Sequence, residues 1–199
     1  MRNTGVVPNP PADVTVLRAL AHPVRNRILA ELSAQGSLRA ADVARELGIP
    51  ANQASFHLRS LAKYGLVEED PDAARDKRDR VWRAVSEDGQ DINLGLVEEQ
   101  PGGKAASRVF RSRAAAFGHR LVDDVYDERR DQGTRRTVVE QAVRLTRDEA
   151  AELSDELSAL AARWGERTRG RDDTRSTYSF FAIVQPYPVD GPDQPEQGA

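Results

Sequence analysis

The tripeptide Gly48-Ile49-Pro50 constrains the fold of this chain more than any other feature of its sequence. Apolar residues recur at helical spacing on both sides of it, at Val43 and Leu47 before it and at Ala54, Leu58 and Leu61 after it. Glycine permits a left-handed helix end, and proline is favoured in the first turn of a following helix. The sequence therefore predicts a short helix over about 39–47, a rigid corner, and a longer helix over about 51–64.

The elements around this corner follow from the same kind of pattern. Two helices are predicted before Gly36, and their apolar residues are Leu17, Leu20, Ile28, Leu29 and Leu32. After the corner, the strand-like runs 66–69 and 80–85 flank the charged segment 70–79, which predicts a hairpin with a long tip. We therefore expect one domain over 13–87, preceded by a proline-rich flexible leader over 1–12.

The second half of the chain is expected to hold a long helix and a small strand-helix-strand unit. Segment 88–134 contains a linker and a helical pattern over about 103–131. Within 135–186, residues 137–145 and 177–185 are predicted strands, and the helix between them, over about 147–169, starts with a capping box formed by Thr146 and Glu149. Residues 187–199 are predicted to be a disordered tail. The fold class is thus α+β and mainly helical.

Composition limits the chemistry that this chain can perform. It has no cysteine, which excludes disulfides, thiolate metal sites and cysteine nucleophiles. Its longest apolar run, 180–184, is far shorter than the roughly 20 residues of a membrane-spanning helix, so a cytoplasmic protein without a membrane partner is expected. We find no G-x-S-x-G, Walker, G-x-G-x-x-G or H-E-x-x-H motif, and predict neither an enzyme nor a cofactor.

Charge is divided unevenly along the chain. Residues 1–85 carry 13 Lys and Arg against 10 Asp and Glu, whereas residues 86–199 carry 16 against 22. A polyanion is therefore expected to approach the first half.

Helical geometry separates the helix over 51–64 into a buried seam and a polar face. The side chains on or bordering the outward face are Asn52, Gln53, Ser55, Phe56, Arg59, Ser60 and Lys63. Asparagine and glutamine can pair with adenine, phenylalanine can contact a thymine methyl group, and basic residues can bind guanine or phosphates. The hairpin tip adds Arg75, Lys77, Arg78 and Arg80, which we predict to contact an adjacent minor groove or the backbone of double-stranded DNA.

Three stretches of the chain resemble the ArsR family of bacterial winged-helix repressors. They are ALAHPVRNRILAEL at 19–32, VARELGIP at 43–50 and ASFHLRSLAKYGLVEED at 54–70. The resemblance implies a winged helix-turn-helix, and a homodimeric repressor on a two-fold-related operator. The S-x-H-L signature of the family falls on Ser55, His57 and Leu58. Family members commonly release DNA when a metal or another signal arrives.

Metal sensing by the routes of that family does not fit this sequence. Thiolate sites are impossible without cysteine, and the long helix holds a single histidine, His119. No metal site is predicted, and an unknown small-molecule effector is left open. Five aromatic residues could line a pocket for it, but aromatic residues on strands that face a helix more often simply pack against it: Tyr178, Phe180, Phe181, Tyr187 and Trp164.

Other side chains also have a structural interpretation beside a functional one. His57 flanks the buried seam, so we expect a packed, hydrogen-bonded histidine rather than a base contact. Apolar residues on one face of the long helix predict a dimer seam: Phe110, Phe117, Leu121 and Val125. Residues 39–83 carry 9 Lys and Arg against 8 Asp and Glu. This near balance keeps open an alternative function, a winged helix that binds a protein rather than specific DNA.

Overall fold

The structure is a computed structural model that describes residues 14–74, 80–86, 92–127, 134–170, 172 and 174–187. The described helices are α1 (Val14–Leu20), α2 (Pro23–Gln35), α3 (Ala40–Leu47), α4 (Ala51–Lys63), α5 (Leu94–Glu98), α6 (Gly103–Tyr126) and α7 (Arg147–Thr168). The strands are β1 (Leu38–Arg39), β2 (Val67–Glu69) and β3 (Val81–Ala84). The mainly helical α+β class is confirmed. The leader over 1–12, and the tail apart from Tyr187, lie outside the described residues.

One core joins α1 to α4 with the small sheet. Strand β3 lies in the centre and pairs antiparallel with β1 and β2, so that Trp82 is opposite Leu38 on one side and Glu69 on the other. Leu17 of α1, Ile28 of α2 and Leu38 of β1 are fully buried in this core. The predicted seam of α4 belongs to this core, since Ala54, Leu58 and Leu61 have no exposed surface.

The corner between α3 and α4 has the predicted conformation. Gly48 adopts φ 65° and ψ 35°, the left-handed region that glycine enters without steric cost. The Ile49 N–H donates to the Ala44 carbonyl at 3.0 Å, and the Ala54 N–H donates to the Pro50 carbonyl at 3.0 Å. The end of α3 and the start of α4 are therefore both fixed by backbone hydrogen bonds, which sets the angle at which α4 leaves the core.

Helix α5 was not predicted, and it determines how the long helix α6 begins. A Cβ on Gly103 would lie 1.7 Å from the Val97 carbonyl oxygen, so only glycine allows α5 and α6 to approach this closely. From there α6 packs back onto α1, with Ala106 buried and Phe110 partly buried against the core. The helix ends at Tyr126 rather than near 131, and residues 128–133 lie outside the described part of the chain.

The C-terminal unit differs from its prediction. Helix α7 and its capping box are present: the Glu149 N–H donates to Thr146 Oγ1 at 3.2 Å, and the Thr146 N–H donates to Glu149 Oε2 at 2.7 Å. The two predicted strands, 137–145 and 177–185, are not formed in the described chain, and this prediction is corrected. A strand requires a hydrogen-bonded neighbour, and neither segment forms a backbone–backbone hydrogen bond with another described residue.

Candidate nucleic-acid interface

Helix α4 presents one buried face and one exposed face. Ala54, His57, Leu58 and Leu61 are buried and hold it against the core. On the opposite face the side chains of Asn52, Gln53, Phe56, Arg59 and Lys63 are exposed, and those of Ser55 and Ser60 are half-buried. Phe56 is informative because 59% of a large apolar side chain is open to solvent. The structure thus places all seven predicted α4 residues on or beside one surface.

Asn52 and Gln53 lie at the N-terminal end of this surface, and their side-chain amides differ in their hydrogen bonds. The Asn52 side-chain oxygen accepts the backbone N–H of Gln53 at 2.9 Å, which satisfies one of the free donors of the first turn. Bidentate pairing with adenine uses both the oxygen and the nitrogen of an amide. The Gln53 side chain makes no hydrogen bond within the described residues. Both its amide oxygen and its amide nitrogen are therefore available for bidentate pairing.

The basic hairpin is described only at its base. Arg75, Lys77 and Arg78 lie outside the described residues. Arg80 is exposed, and its Nε lies 3.5 Å from Glu69 Oε1, while Arg83 Nη2 lies 2.7 Å from Glu68 Oε1. All four side chains in these ion pairs are more than two-fifths exposed. Exposed ion pairs contribute roughly 0–1 kcal/mol to the free energy of unfolding. Phosphate groups can therefore compete for both arginines.

A hydrogen bond that the sequence did not predict fixes the start of the hairpin. Ser37, next to β1, donates its hydroxyl to Asp70, which directly follows β2. The Asp70 N–H donates to the Val81 carbonyl at 2.8 Å, and the Asp72 N–H donates to Asp70 Oδ1 at 3.2 Å. The Ser37 hydroxyl lowers the pKa of Asp70, since it hydrogen-bonds the charged form. Ser37 and Asp70 are 33 residues apart, and no local pattern connects them.

His57 lies beneath the exposed face, against His22. His57 is 4% exposed, and the two ring centroids are 4.7 Å apart. Burial lowers the pKa of both histidines, and the charge of Arg25 lowers both further. The prediction of a packed His57 is confirmed, but the Nδ1 atoms of both rings have no hydrogen-bond partner within the described residues. Burial and the neighbouring Arg25 therefore both disfavour the charged form of these rings.

The four predicted seam residues of α6 do not share one environment. Phe110 packs against the core of its own chain, Leu121 and Val125 are half-buried, and Phe117 is 43% exposed. Exposed apolar side chains continue along α6 at Val109, Val122 and Tyr126. Phe110 is therefore best described as a core residue, and the open apolar part of α6 lies nearer its C-terminus.

The sequence matches one protein family, described as a helix-turn-helix domain, over residues 20–70. Residues 20–70 are a helix-turn-helix domain. The match spans α2 to β2, including the corner and all of α4, and such domains place their second helix in the DNA major groove. No curated protein matches the sequence.

Several solved structures are similar to the chain at low identity. An apo-form mutant of ZitR from Lactococcus lactis is 16% identical with a TM-score of 0.31, covering 72% of this chain and 83% of that one. The transcriptional regulator Tm0710 from Thermotoga maritima is 15% identical with a TM-score of 0.30, covering 78% and 85%. RV1404 from Mycobacterium tuberculosis is 14% identical with a TM-score of 0.32, covering 80% and 85%.

The described residues show neither a cluster of metal ligands nor a membrane-spanning helix. No three metal-ligating side chains come together there. None of the described helices is both long and apolar enough to cross a bilayer.

Proposed function

We propose that this protein is a sequence-specific transcriptional regulator, a dimeric repressor of the ArsR type that binds a two-fold-related operator and is not a cysteine-based metal sensor. The observation that carries the proposal is the exposed face of α4. Asn52, Gln53, Phe56, Arg59 and Lys63 are open to solvent, although the helix is anchored by a fully buried seam. An anchored helix with a free polar face is what major-groove recognition requires.

The chemistry of this face suits base edges at its N-terminal end and phosphates further along. Gln53 pairs with an adenine through its free amide, and Asn52 does so once its oxygen releases the Gln53 N–H. Phe56 packs on a thymine methyl group. Arg59 and Lys63, one and two turns further along, contact a guanine or the backbone phosphates.

The hairpin contributes affinity more than sequence preference. We assign phosphate or minor-groove contacts to Arg75, Lys77, Arg78 and Arg80. Glu68 and Glu69 hold Arg83 and Arg80 in ion pairs, so part of the positive charge is neutralised before DNA arrives. We therefore expect fewer released counterions, and a shallower salt dependence, than the number of arginines alone indicates.

Dimerisation places two α4 helices on two half-sites of the operator. Phe117, Leu121 and Val125 on α6 are the seam residues that support this part of the proposal, since they are exposed or half-buried in the single chain.

A fluorescence-anisotropy titration at low salt tests the proposal. The wild type should prefer a duplex from its own promoter region over a random duplex of equal length. Gln53→Ala and Asn52→Ala should each reduce that preference by about 1–3 kcal/mol, because a base contact is lost, and should leave the oligomeric state unchanged. Ser158→Ala on α7 is the control, since its hydroxyl donates only within its own helix, to the Ser154 carbonyl at 2.9 Å.

The competing function, a winged helix that binds proteins, makes the opposite prediction. Its binding to DNA would be weak, equal for all duplexes, and unaffected by the Gln53 and Asn52 variants. Equal affinity for promoter and random duplexes, in a sample that is dimeric, would rule out a sequence-specific regulator.

A further inference from the structure

The two extended segments that flank α7 carry an unusual amount of exposed apolar surface. We call residues 134–146 and 174–187 the arms. Their exposed large apolar residues are Val138, Val139, Val143, Leu145, Tyr178, Phe180, Phe181, Ile183, Val184 and Tyr187. Leu160 and Trp164 on α7 add to them, with 39% and 53% of their side chains exposed. A surface of this kind on a folded protein marks an interaction site.

We propose that a second copy of this chain covers the arms and the apolar stripe of α7, and that the arms pair with the partner's arms as β-strands. This inference deepens the proposed function, since it rests on a dimeric regulator and names where its main subunit contact lies. The seam on α6 then becomes the edge of a larger interface.

The backbone of the arms supports strand pairing. Residues 137–145 and 177–187 form no backbone–backbone hydrogen bond within the described part of the chain. Extended backbone with free N–H and C=O groups pairs readily with another extended segment. Both arms contain residues that favour strands: three valines in the first arm, and aromatic and β-branched residues in the second, at Tyr178, Phe180, Phe181, Ile183, Val184 and Tyr187.

The area of the exposed surface fits a stable dimer. Twelve large apolar side chains, each exposed by 36% to 83%, present an apolar area on the arms and α7. Their summed area is on the order of 1,000 Å², and a standard protein interface buries about 800 Å² on each partner. One copy therefore offers enough apolar surface for half of a specific interface.

The charge on α7 suits a second copy rather than an unrelated partner. Its first half carries five acidic residues after Arg147, and its second half carries Arg163, Glu166 and Arg167, with Arg169 just beyond its end, so the first half is net acidic and the second net basic. Two such helices related by a two-fold axis perpendicular to them lie antiparallel, and the acidic half of each then faces the basic half of the other. The helix is complementary to itself.

Contacts inside the chain hold the arms in place without covering them. Thr177 Oγ1 donates to Glu31 on α2 at 2.8 Å, and the Arg135 N–H donates to the Tyr178 hydroxyl at 3.2 Å, which joins the two arms. Phe181 lies over Gly118 of α6, where an added Cβ would be 3.1 Å from the ring. The arms are thus continuous with the exposed apolar face of α6, around Val122.

Sedimentation velocity on the full chain tests this inference. Phe180→Asp combined with Ile183→Asp places two charges on an arm, and should raise the dimer dissociation constant about 100-fold or more, as loss of a central apolar cluster does. The matched control is Leu96→Asp on α5, which is 57% exposed and distant in sequence from the arms. It should leave the dimer unchanged. Circular dichroism checks that the helices of each variant are folded.

Hydrogen exchange provides a readout that does not depend on a variant. Amides of 137–145 and 177–187 should be protected above the dimer dissociation constant and exchange quickly below it, whereas those of β2 and β3 should be protected at both concentrations. A monomeric wild type, a dimer that survives the Phe180 and Ile183 changes, or arms that exchange quickly at all concentrations would overturn the inference. Failure of the proposed function looks different, since the arms would still dimerise while promoter and random duplexes bound equally.

Discussion

Helices α4 and α7 are both amphipathic, yet only the apolar face of α4 is buried by its own chain. The seam of α4 at Ala54, Leu58 and Leu61 is completely buried. The stripe of α7 contains no buried residue, and Trp164 at its end is 53% exposed. Periodicity predicts that a helix forms and which face is apolar, but it does not predict what that face packs against.

The difference between the two helices has a physical origin in their neighbours. Helix α4 packs against α3, α2 and β2, all within the same domain. Helix α7 lies between two arms that have no strand partner in the described residues, and it contacts that domain at α2; just beyond its end, the Gly170 N–H donates to the Ala34 carbonyl at 3.3 Å. The apolar face of α4 is therefore covered within one chain, whereas that of α7 is left largely open.

Truncation of one leucine in each helix gives the largest expected contrast. Leu58→Ala should cost about 2–5 kcal/mol of unfolding free energy, because it leaves a cavity in a closed core. Leu160→Ala should cost less than about 0.5 kcal/mol at concentrations where the chain is monomeric, and more where it is dimeric. Urea unfolding at two protein concentrations measures both. Equal losses in the dilute sample would contradict the comparison.

Alanine at two glycines should shift stability in opposite directions. Gly48 has φ +65°, so Gly48→Ala should destabilise the corner by about 1 kcal/mol or more. Gly165 lies inside α7 with no atom within 4 Å of an added Cβ, so Gly165→Ala should stabilise the protein by about 0.5–1 kcal/mol. Thermal unfolding compares them. If Gly165→Ala lowered the melting temperature, other atoms would occupy the space beside Gly165, which would contradict this prediction.

Acid should weaken the first domain through its buried histidines. The pKa values of His57 and His22 are lowered in the folded state, so the unfolded chain binds more protons below about pH 6.5. The contribution of the two histidines to the free energy of unfolding is fully present above that pH. It decreases as the pH falls toward their pKa values in the folded state. Urea midpoints between pH 7.5 and 5.5 measure this decrease, and His22→Gln should reduce it. If the urea midpoint of His22→Gln fell with pH as much as that of the wild type, groups other than this histidine pair would cause the pH dependence.

The smallest effect is expected at the hairpin. Glu69→Gln releases Arg80 from an exposed ion pair, which should change stability by less than about 1 kcal/mol. It should also increase affinity for random and promoter duplexes alike, because phosphate binding carries no sequence information. Anisotropy titrations at two salt concentrations measure this, and a gain confined to the promoter duplex would contradict it.

Local patterns predicted most of the first domain. The corner at Gly48, the capping box at Thr146 and the outward face of α4 all depend on residues within a few positions of one another. Contacts between distant residues were not predicted, as with Ser37 and Asp70, or His22 and His57. The arms show the same limit: their composition favours strands, but a strand forms only where a partner backbone is available. Gly103 was also missed, because a close approach between helices leaves no periodic signal.

Selection of binding sites from a pool of random duplexes tests the account most directly, since it depends on both regions of the molecule. The wild type should enrich an inverted repeat whose half-sites are about 10 base pairs apart, centre to centre, because two copies present two α4 helices on one face of the duplex. The Asn52→Ala, Gln53→Ala double variant should lose the base preference within each half-site. A wild-type pool with no enriched sequence, or the same repeat enriched by the double variant, would contradict the account.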